Sequence, residues 1–525
     1  MAGIAVIGAG MGALTAAARL AVAGHRVTVY ERTGTYGGAV RRFEREGFGF
    51  DTGPGLLPLP AVYRDLFVKT GKEPLEACVE LVQVDPSARH LFADGAEVSL
   101  PNASRAGVVS ALDEALGAQA GQRWGDFLVR AREAWDRTRR PLLEEPLWPN
   151  WSVLADNEPY PAVPHKRLLR TRRAGTLAEV GAWELRDPRL AALLEGHALA
   201  YGLDPRVTPA SAAVLPYLEH AFGTWYVRGG MRELARAVYE RCLARRVEFV
   251  FDAEVARILE KDGRAAGVEL SGGTLAEADF VVAPGGVANG PGGVANGPGS
   301  VSAGPGSVSA GPGGIAGGPG SIAGLPGRGE GEIAPQQGLP SRLTVLLALR
   351  GARPEGAAHR TVVHTADREA ELESLFGTTP SVPAQPTVTV LRPDDARLAP
   401  DGDHESVTLS AVVPAGAEIR DEHVEALLAA AERAVPGLRD RVLWREVRTP
   451  ADVERETGAA GGAVPAPALA AAGGRLLHPA NSTGLQGLFT VGGWSHPGGG
   501  LPHAGMSGAL VSGLIVEGPE FRGSQ

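Results

Sequence analysis

Gly8, Gly10 and Ala13, within the run Gly8-Ala9-Gly10-Met11-Gly12-Ala13, have the spacing of a backbone that wraps a pyrophosphate. Gly8 permits the tight turn, Gly10 lets the main chain approach the phosphates, and small Ala13 lets a helix and a strand pack closely. The helix that opens at Met11 and Gly12 then faces the phosphates with its positive end. Glu31 falls 18 residues beyond Ala13, where a carboxylate can accept both hydroxyls of an adenosine ribose. Two further glycine-rich sets stand out in the sequence. Gly37-Gly38 precedes Asp51-Thr52-Gly53-Pro54-Gly55, and Gly492-Gly493 precedes Ser495-His496-Pro497-Gly498-Gly499-Gly500-Leu501-Pro502-His503. No Ser/His/Asp set is evident for nucleophilic catalysis, and no cluster of metal-ligating residues, so no metal is expected. These residue types point to a bound dinucleotide doing the chemistry.

The elements that must position these groups can be read from periodicity. Gly3–Ile7 is a short apolar run, an Ala/Leu-rich stretch reaches Ala23, Gly24 stops it, and Arg26–Tyr30 alternates into a second strand ending on Glu31: a βαβ unit. Trp225 to Met231 contains a Gly229-Gly230 turn opening a helix, and short strands are expected at 247–251, 255–259, 266–270 and 280–282. Residues 74–216 mix helical periodicity with Trp124, Trp135, Trp148 and Trp151 and predict a separate helical domain, its tryptophans read as core, with an apolar cleft as the alternative. His165-Lys166-Arg167 with Arg170, Arg172 and Arg173 reads as a solvated helix face or as a contact for anionic headgroups. Strands at 343–349, 387–391 and 407–413 suggest a sheet floor for a second domain. Between them, residues 284–325 are six consecutive heptapeptides, from PGGVANG to PGSIAGL. Each carries Pro-Gly and lacks an a/d apolar pair, so the period is not that of a coiled coil. Residues 284–340 are therefore expected to be a mobile insertion without a core of its own.

NAD and FAD both use a βαβ unit of this kind, and the residues beyond Glu31 bear on the choice. The double glycine and the Asp51-Thr52-Gly53-Pro54 turn resemble the FAD-binding opening of the flavin amine oxidase and phytoene desaturase superfamily. The strand into Gly492-Gly493, the Ser495-His496-Pro497-Gly498 turn and the step to Pro502 resemble the end of bacterial phytoene desaturases. His359-Arg360-Thr361-Val362-Val363, Leu398-Ala399-Pro400 and Thr449-Pro450-Ala451-Asp452 fall in that family's order. The resemblance implies FAD, held by Gly8, Gly10, Met11, Gly12, Ala13, Glu31, Gly37, Gly38, Gly53, Pro54, Gly55, Val255, Gly492, Gly493 and Pro502, with Val255 meeting the adenine through its backbone. It implies an α/β fold in which a discontinuous Rossmann-like FAD domain (1–77, 222–283, 455–525) joins a mixed α+β substrate domain (78–221, 341–454) interrupted by the Pro/Gly insertion. The family commonly has a basic residue directly after the double glycine, and this chain has Ala39. Arg41 and Arg42 are read as solvated strand charges, with the pyrophosphate as the alternative destination. His503 stands where the family usually has a small or aliphatic residue; it is a candidate proton acceptor, against a surface or capping histidine.

The implied activity is removal of hydride from a polyisoprenoid of carotenoid type to flavin N5, with oxygen or a quinone reoxidising the flavin. Two alternatives stay open: a flavin amine oxidase acting on a small amine, and a prenyl-protein chaperone of the GDP dissociation inhibitor type without flavin catalysis. The balance of 51 Lys and Arg against 60 Asp and Glu, net −9, offers no global field to a polyanion, so nucleic acid is not an expected partner. Cys78 and Cys242 stand far apart with no metal-ligand spacing, consistent with a reducing cytoplasm. No apolar run reaches the roughly 18 residues needed to span a bilayer. An apolar substrate stored in the bilayer then implies reversible, peripheral membrane contact.

Overall fold

The computed structural model describes residues 1–148, 151–165, 167–285 and 339–523; the side chains of 165–170 and the whole of 286–338 lie outside that set. The heptapeptide reading, and the side chains of most of the basic run, therefore fall outside the described residues. The described ends of the expected insertion need correction. Pro284 closes the strand Phe280–Pro284 and Pro340 opens the strand Pro340–Arg350, so both prolines belong to sheets. Proline is tolerated at a strand's end because no ladder N–H is demanded of it there.

One layer is a parallel five-stranded sheet. Its strands are β1 (Gly3–Ile7), β2 (Arg26–Tyr30), β3 (Glu248–Val250), β4 (Phe280–Pro284) and β5 (Leu488–Val491), in the order β3-β2-β1-β4-β5. Residues from three distant stretches of chain thus build one sheet, with Gly3 opposite Arg26 and Val281 opposite Leu488. Three helices cover it: α1 (Met11–Val22), α2 (Arg232–Ala244) and α3 (Leu501–Val516). The β1 side chains Ile4 and Val6, the Ala-rich face of α1, and Val238 of α2 share one core. α1 and α3 cross closely because Gly12 and Gly508 put no side chain between them: a Cβ on Gly12 would lie 3.0 Å from the Ala504 carbonyl oxygen.

The second layer is a seven-stranded sheet, ordered Val442–Arg448, Pro340–Arg350, His404–Pro414, Val388–Leu391, Arg360–Val363, Ala88–Leu91, Glu97–Leu100. All its neighbours are antiparallel except Arg360–Val363 beside Ala88–Leu91. The region expected to be a separate helical domain contributes two strands to this sheet, and a third, Leu81–Gln83, to a small sheet with Leu57–Pro58 and Thr224–Val227. Val163–His165 and Arg167–Arg172 pair as antiparallel strands, so the basic run lies on strands and not on a helix face. The helices of that region pack around Trp124, Phe127, Leu177 and Leu194, with Trp124 and Trp135 both in the core. Of the basic run, Arg172 stacks over the Trp183 ring at 4.3 Å and Arg173 donates to the Glu158 carbonyl. Among the described residues no helix is long and apolar enough to cross a membrane.

Candidate functional site

The site forms where the carboxyl ends of β1 and β2 meet the start of α1. Gly8 turns the chain with φ +82°, and Gly10 caps α1 with no side-chain hydrogen bond and no acidic residue in the first turn. Among the described residues the leading N–H groups of α1 have no side-chain acceptor and remain as donors for an anion. Gly10 forms a parallel bridge to Gly37, and Gly38, at φ +61°, stands so close that a Cβ on it would lie 3.0 Å from the Gly10 Cα. Glu31, nearly buried, accepts from the Ala9 N–H at 2.7 Å and from the Thr33 N–H and hydroxyl at 2.9 and 2.8 Å. A carboxylate has about four lone-pair sites, so one remains for a ribose hydroxyl. Val255 opens the strand Val255–Lys261 and, like Tyr30, packs against the core of Ile7, Ile258 and Val268; nearby the Ala253 N–H donates to the Glu31 carbonyl.

Gly492 and Pro502 join the same place from the C-terminal side. The Gly492 N–H donates to the Ser507 hydroxyl of α3 at 3.0 Å, and Asn481 ties that hydroxyl to the Thr490 and His496 carbonyls. Pro502 sits in the first turn of α3, where its missing N–H costs nothing. Gly493 is a packing glycine, its absent Cβ replaced by Pro465 at 2.6 Å. Gly53 is required by the protein itself: a Cβ there would collide with the Ala39 carbonyl. Gly55 abuts Leu391 of the seven-stranded sheet, and Pro54 between them is exposed. The Gly53-Pro54-Gly55 turn thus joins the double-glycine loop to the second layer.

The reading of Arg41 and Arg42 as solvated charges does not survive. Arg41 folds back to donate to the Gly38 carbonyl at 2.9 Å and to the Thr33 hydroxyl at 3.2 Å, placing its guanidinium against the double glycine where Ala39 leaves no cation. Arg42 donates to the Gly229 carbonyl at 3.0 Å. Arg232, which no local motif marks out, lies over the Tyr36 ring at 3.8 Å and donates to the Tyr36 and Val40 carbonyls and the Thr35 hydroxyl, splinting the loop that carries Gly37 and Gly38. Arg41, Arg42, Arg232 and Arg448 line a crevice of about 210 Å³ shared with one carboxylate, Glu456. This local excess of positive charge favours a dianionic pyrophosphate nearby even though the chain is acidic overall.

Two carboxylates, half-buried Asp51 and buried Asp395, clamp the Gly229-Gly230 turn. Asp51 accepts from the Met231 and Arg232 N–H groups at 2.9 and 3.4 Å, and Asp395 accepts from the Gly229 N–H and the Tyr226 hydroxyl at 2.5 and 2.9 Å. Burial pushes the Asp51 pKa up to about 6, opposed by those two N–H donors and Arg42, with Asp395 adding to the rise. The folded state therefore holds the Asp51 proton more tightly than the unfolded chain does. The stability this supplies is full below about pH 4 and is lost as pH rises through about 6. The melting advantage of the wild type over Asp51→Asn should accordingly shrink between pH 4.5 and 7, by up to about 3 kcal/mol. A difference that stays flat or grows with pH would refute the assignment.

The family model of the flavin containing amine oxidoreductases matches residues 14–290, more than half of the chain. The chain belongs to that family. Its cofactor is FAD and it is an oxidoreductase, and the uncapped α1, the remaining acceptor site of Glu31 and the arginines beside Gly38 fit that group. When bound, FAD supplies a two-electron hydride acceptor. This flavin oxidoreductase is 29% identical over 535 aligned positions to the hydroxyneurosporene desaturase of Rhodobacter capsulatus, covering 98% of this chain and 97% of that protein. It is 31% identical to the 4,4'-diapolycopene oxygenase of Methylomonas sp over 280 residues, a match spanning 55% of that protein's length. In fold it is similar to an oxidoreductase from Methanosarcina mazei, with TM-score 0.59 and 18% identity over 97% of this chain and 99% of that one. It is also similar to putrescine oxidase, with TM-score 0.60 and 13% identity over 98% and 99%.

Proposed function

We propose that this flavin oxidoreductase desaturates a polyisoprenoid of carotenoid type. The observation that carries the reading is the chain-long similarity to hydroxyneurosporene desaturase, which takes in the β1–α1 turn, the seven-stranded sheet and the α3 loop together. Under this reading residues 1–77, 222–284 and 455–525 form a Rossmann-like FAD domain, 78–221 and 340–454 form the substrate domain, and the Pro/Gly insertion lies between Pro284 and Pro340. Gly8, Gly10, Met11, Gly12, Ala13, Glu31, Gly37 and Gly38 hold the nucleotide half of FAD, with Arg41 in place of the cation absent at Ala39. The Gly53-Pro54-Gly55 turn, Gly492, Gly493 and Pro502 frame the flavin end. Oxygen or a quinone receives the electrons, and the enzyme meets its substrate at a membrane surface to which it binds reversibly.

The test is expression in cells that accumulate phytoene and, separately, neurosporene-type intermediates, with pigment analysis. Longer conjugated chromophores are expected in one of these hosts. Unchanged pigments in every host, from soluble flavin-loaded protein that instead oxidises a small amine, would overturn the reading in favour of an amine oxidase.

A further inference from the structure

We propose that His503 is the proton acceptor of the desaturation, a step that rests on the carotenoid-type reading above. Three imidazoles, buried His496 and His503 and half-buried His478, gather around the glycine loop before α3. Two of them are tied to the backbone: His478 Nε2 lies 2.6 Å from the Ala466 carbonyl and His496 Nε2 lies 2.9 Å from the Glu145 carbonyl. A carbonyl only accepts, so both Nε2 atoms carry hydrogen. His503 makes no such bond, and its Nδ1 is buried without a partner. His496 Nδ1 is unpartnered as well, but that residue is fully enclosed at 0% exposure, whereas His503 keeps 9%.

The glycine loop before α3 comes close to His503 at Gly500. At φ +105° this glycine leaves empty the point where a side chain would begin, and that point lies 3.3 Å from His503 Nδ1 and 3.7 Å from the Tyr201 hydroxyl. The His503 imidazole of α3 and the Tyr201 hydroxyl, from the turn after the helix Pro188–Leu199, thus approach the glycine loop at one point. His503 also sits in the first turn of α3, whose positive end opposes a second positive charge. Burial first, and then His478 and His496, push its pKa down to about 4, so the imidazole is neutral near pH 7 and its lone pair is free.

In the desaturation, one substrate C–H bond breaks with its electron pair, delivered as hydride to FAD, leaving an allylic cation. The C–H bond on the adjacent carbon then breaks, its proton forming a bond to His503 Nδ1 and its electron pair becoming the second bond of the new alkene. A weak base suffices for so acidic a cation, and a low pKa lets the imidazolium release the proton before the next turnover. Without the base, water can capture the cation and give an alcohol.

The experiment compares FAD-loaded wild type, His503→Ala and His503→Gln. In ¹⁵N-histidine NMR spectra of the wild-type holoenzyme, one imidazole with a bare Nδ1 should stay neutral down to about pH 4 and disappear in both variants. With a polyisoprenoid that the wild type desaturates, alkene formed per flavin reduced should fall about 10- to 100-fold in both variants and a hydrated product should appear. Should His503→Ala fail to fold, His503→Gln, which keeps the volume, carries the same comparison. An unchanged alkene yield and pH profile in a flavin-loaded variant would overturn the proposal alone. A wild type that desaturates no polyisoprenoid would overturn the carotenoid reading and this step with it.

Discussion

Gly10→Val is expected to give folded, colourless protein. The surroundings of Gly10 explain why one substitution should remove the cofactor and spare the fold. With an ordinary φ of −72°, a Cβ on Gly10 would meet nothing closer than the Gly38 Cα at 4.0 Å, so the protein's own packing does not demand glycine there. Under the proposed placement of FAD, what demands it is the approach of the pyrophosphate to the uncapped start of α1. Hydrogen bonds to a charged group contribute about 1.5–3 kcal/mol each. Losing two of them should weaken FAD binding by roughly 100-fold or more. The cost to the apoprotein is that of a poorer helix cap, about 1 kcal/mol. FAD titration followed by flavin fluorescence, together with melting of both apoproteins, separates the two effects. Gly10→Ala should lie between wild type and Gly10→Val in affinity. Stoichiometric flavin in purified Gly10→Val would disprove the placement of the phosphates.

The parts of this site that were legible in the sequence are those whose geometry is local. The turn from Gly8 to Ala13 and the acid at Glu31 lie within one βαβ unit, so spacing alone placed them. The strand Pro340–Arg350 was visible because its 343–349 stretch is almost wholly apolar and buried on both faces. What escaped depends on partners far along the chain. Ala88–Leu91 is four residues long, and its place in the seven-stranded sheet depends on pairing with Arg360–Val363, far along the chain, as well as with neighbouring Glu97–Leu100. Arg41 looked like a strand charge because its acceptors, Gly38, Thr33 and the Glu456 carbonyl, converge only after folding. Asp51 belonged to a turn motif already noticed, yet its work as a cap for α2 requires the Met231 and Arg232 N–H groups, 180 residues or more away. His503 was singled out by type and position, but its missing hydrogen bond, the feature that distinguishes it from His478 and His496, is a property of the folded chain.

Gly508→Val should do the reverse of Gly10→Val and unfold the protein before it affects binding as such. α3 crosses α1 at Gly508, where a Cβ would press on the Gly12 carbonyl and lie 2.8 Å from both the Ala16 nitrogen and the Thr15 Cβ. Two of these three obstacles are backbone atoms of a helix, which cannot rotate aside as a side chain can. Relief requires the helices to separate, opening the core that Leu14, Ala18 and Val511 fill. Overpacking a core costs typically about 1–3 kcal/mol and occasionally more; a clash with helix backbone belongs at the upper end. The loss should be visible in apoprotein, as a lower melting temperature or lower soluble yield, with flavin content falling in proportion to folded protein. Gly196→Ala is the internal control. Gly196 lies in the helix Pro188–Leu199 with nothing within 4 Å of its missing Cβ, so alanine there should be neutral or stabilise by about 0.5–1 kcal/mol. Because Gly508 sits opposite Gly12, a residue of the phosphate turn itself, the pair of variants separates two demands for glycine in one motif: Gly10 makes room for the ligand and Gly12 makes room for α3. If Gly508→Val melted with the wild type while losing flavin, the crossing would serve the ligand and not the fold, and that division of roles would be wrong.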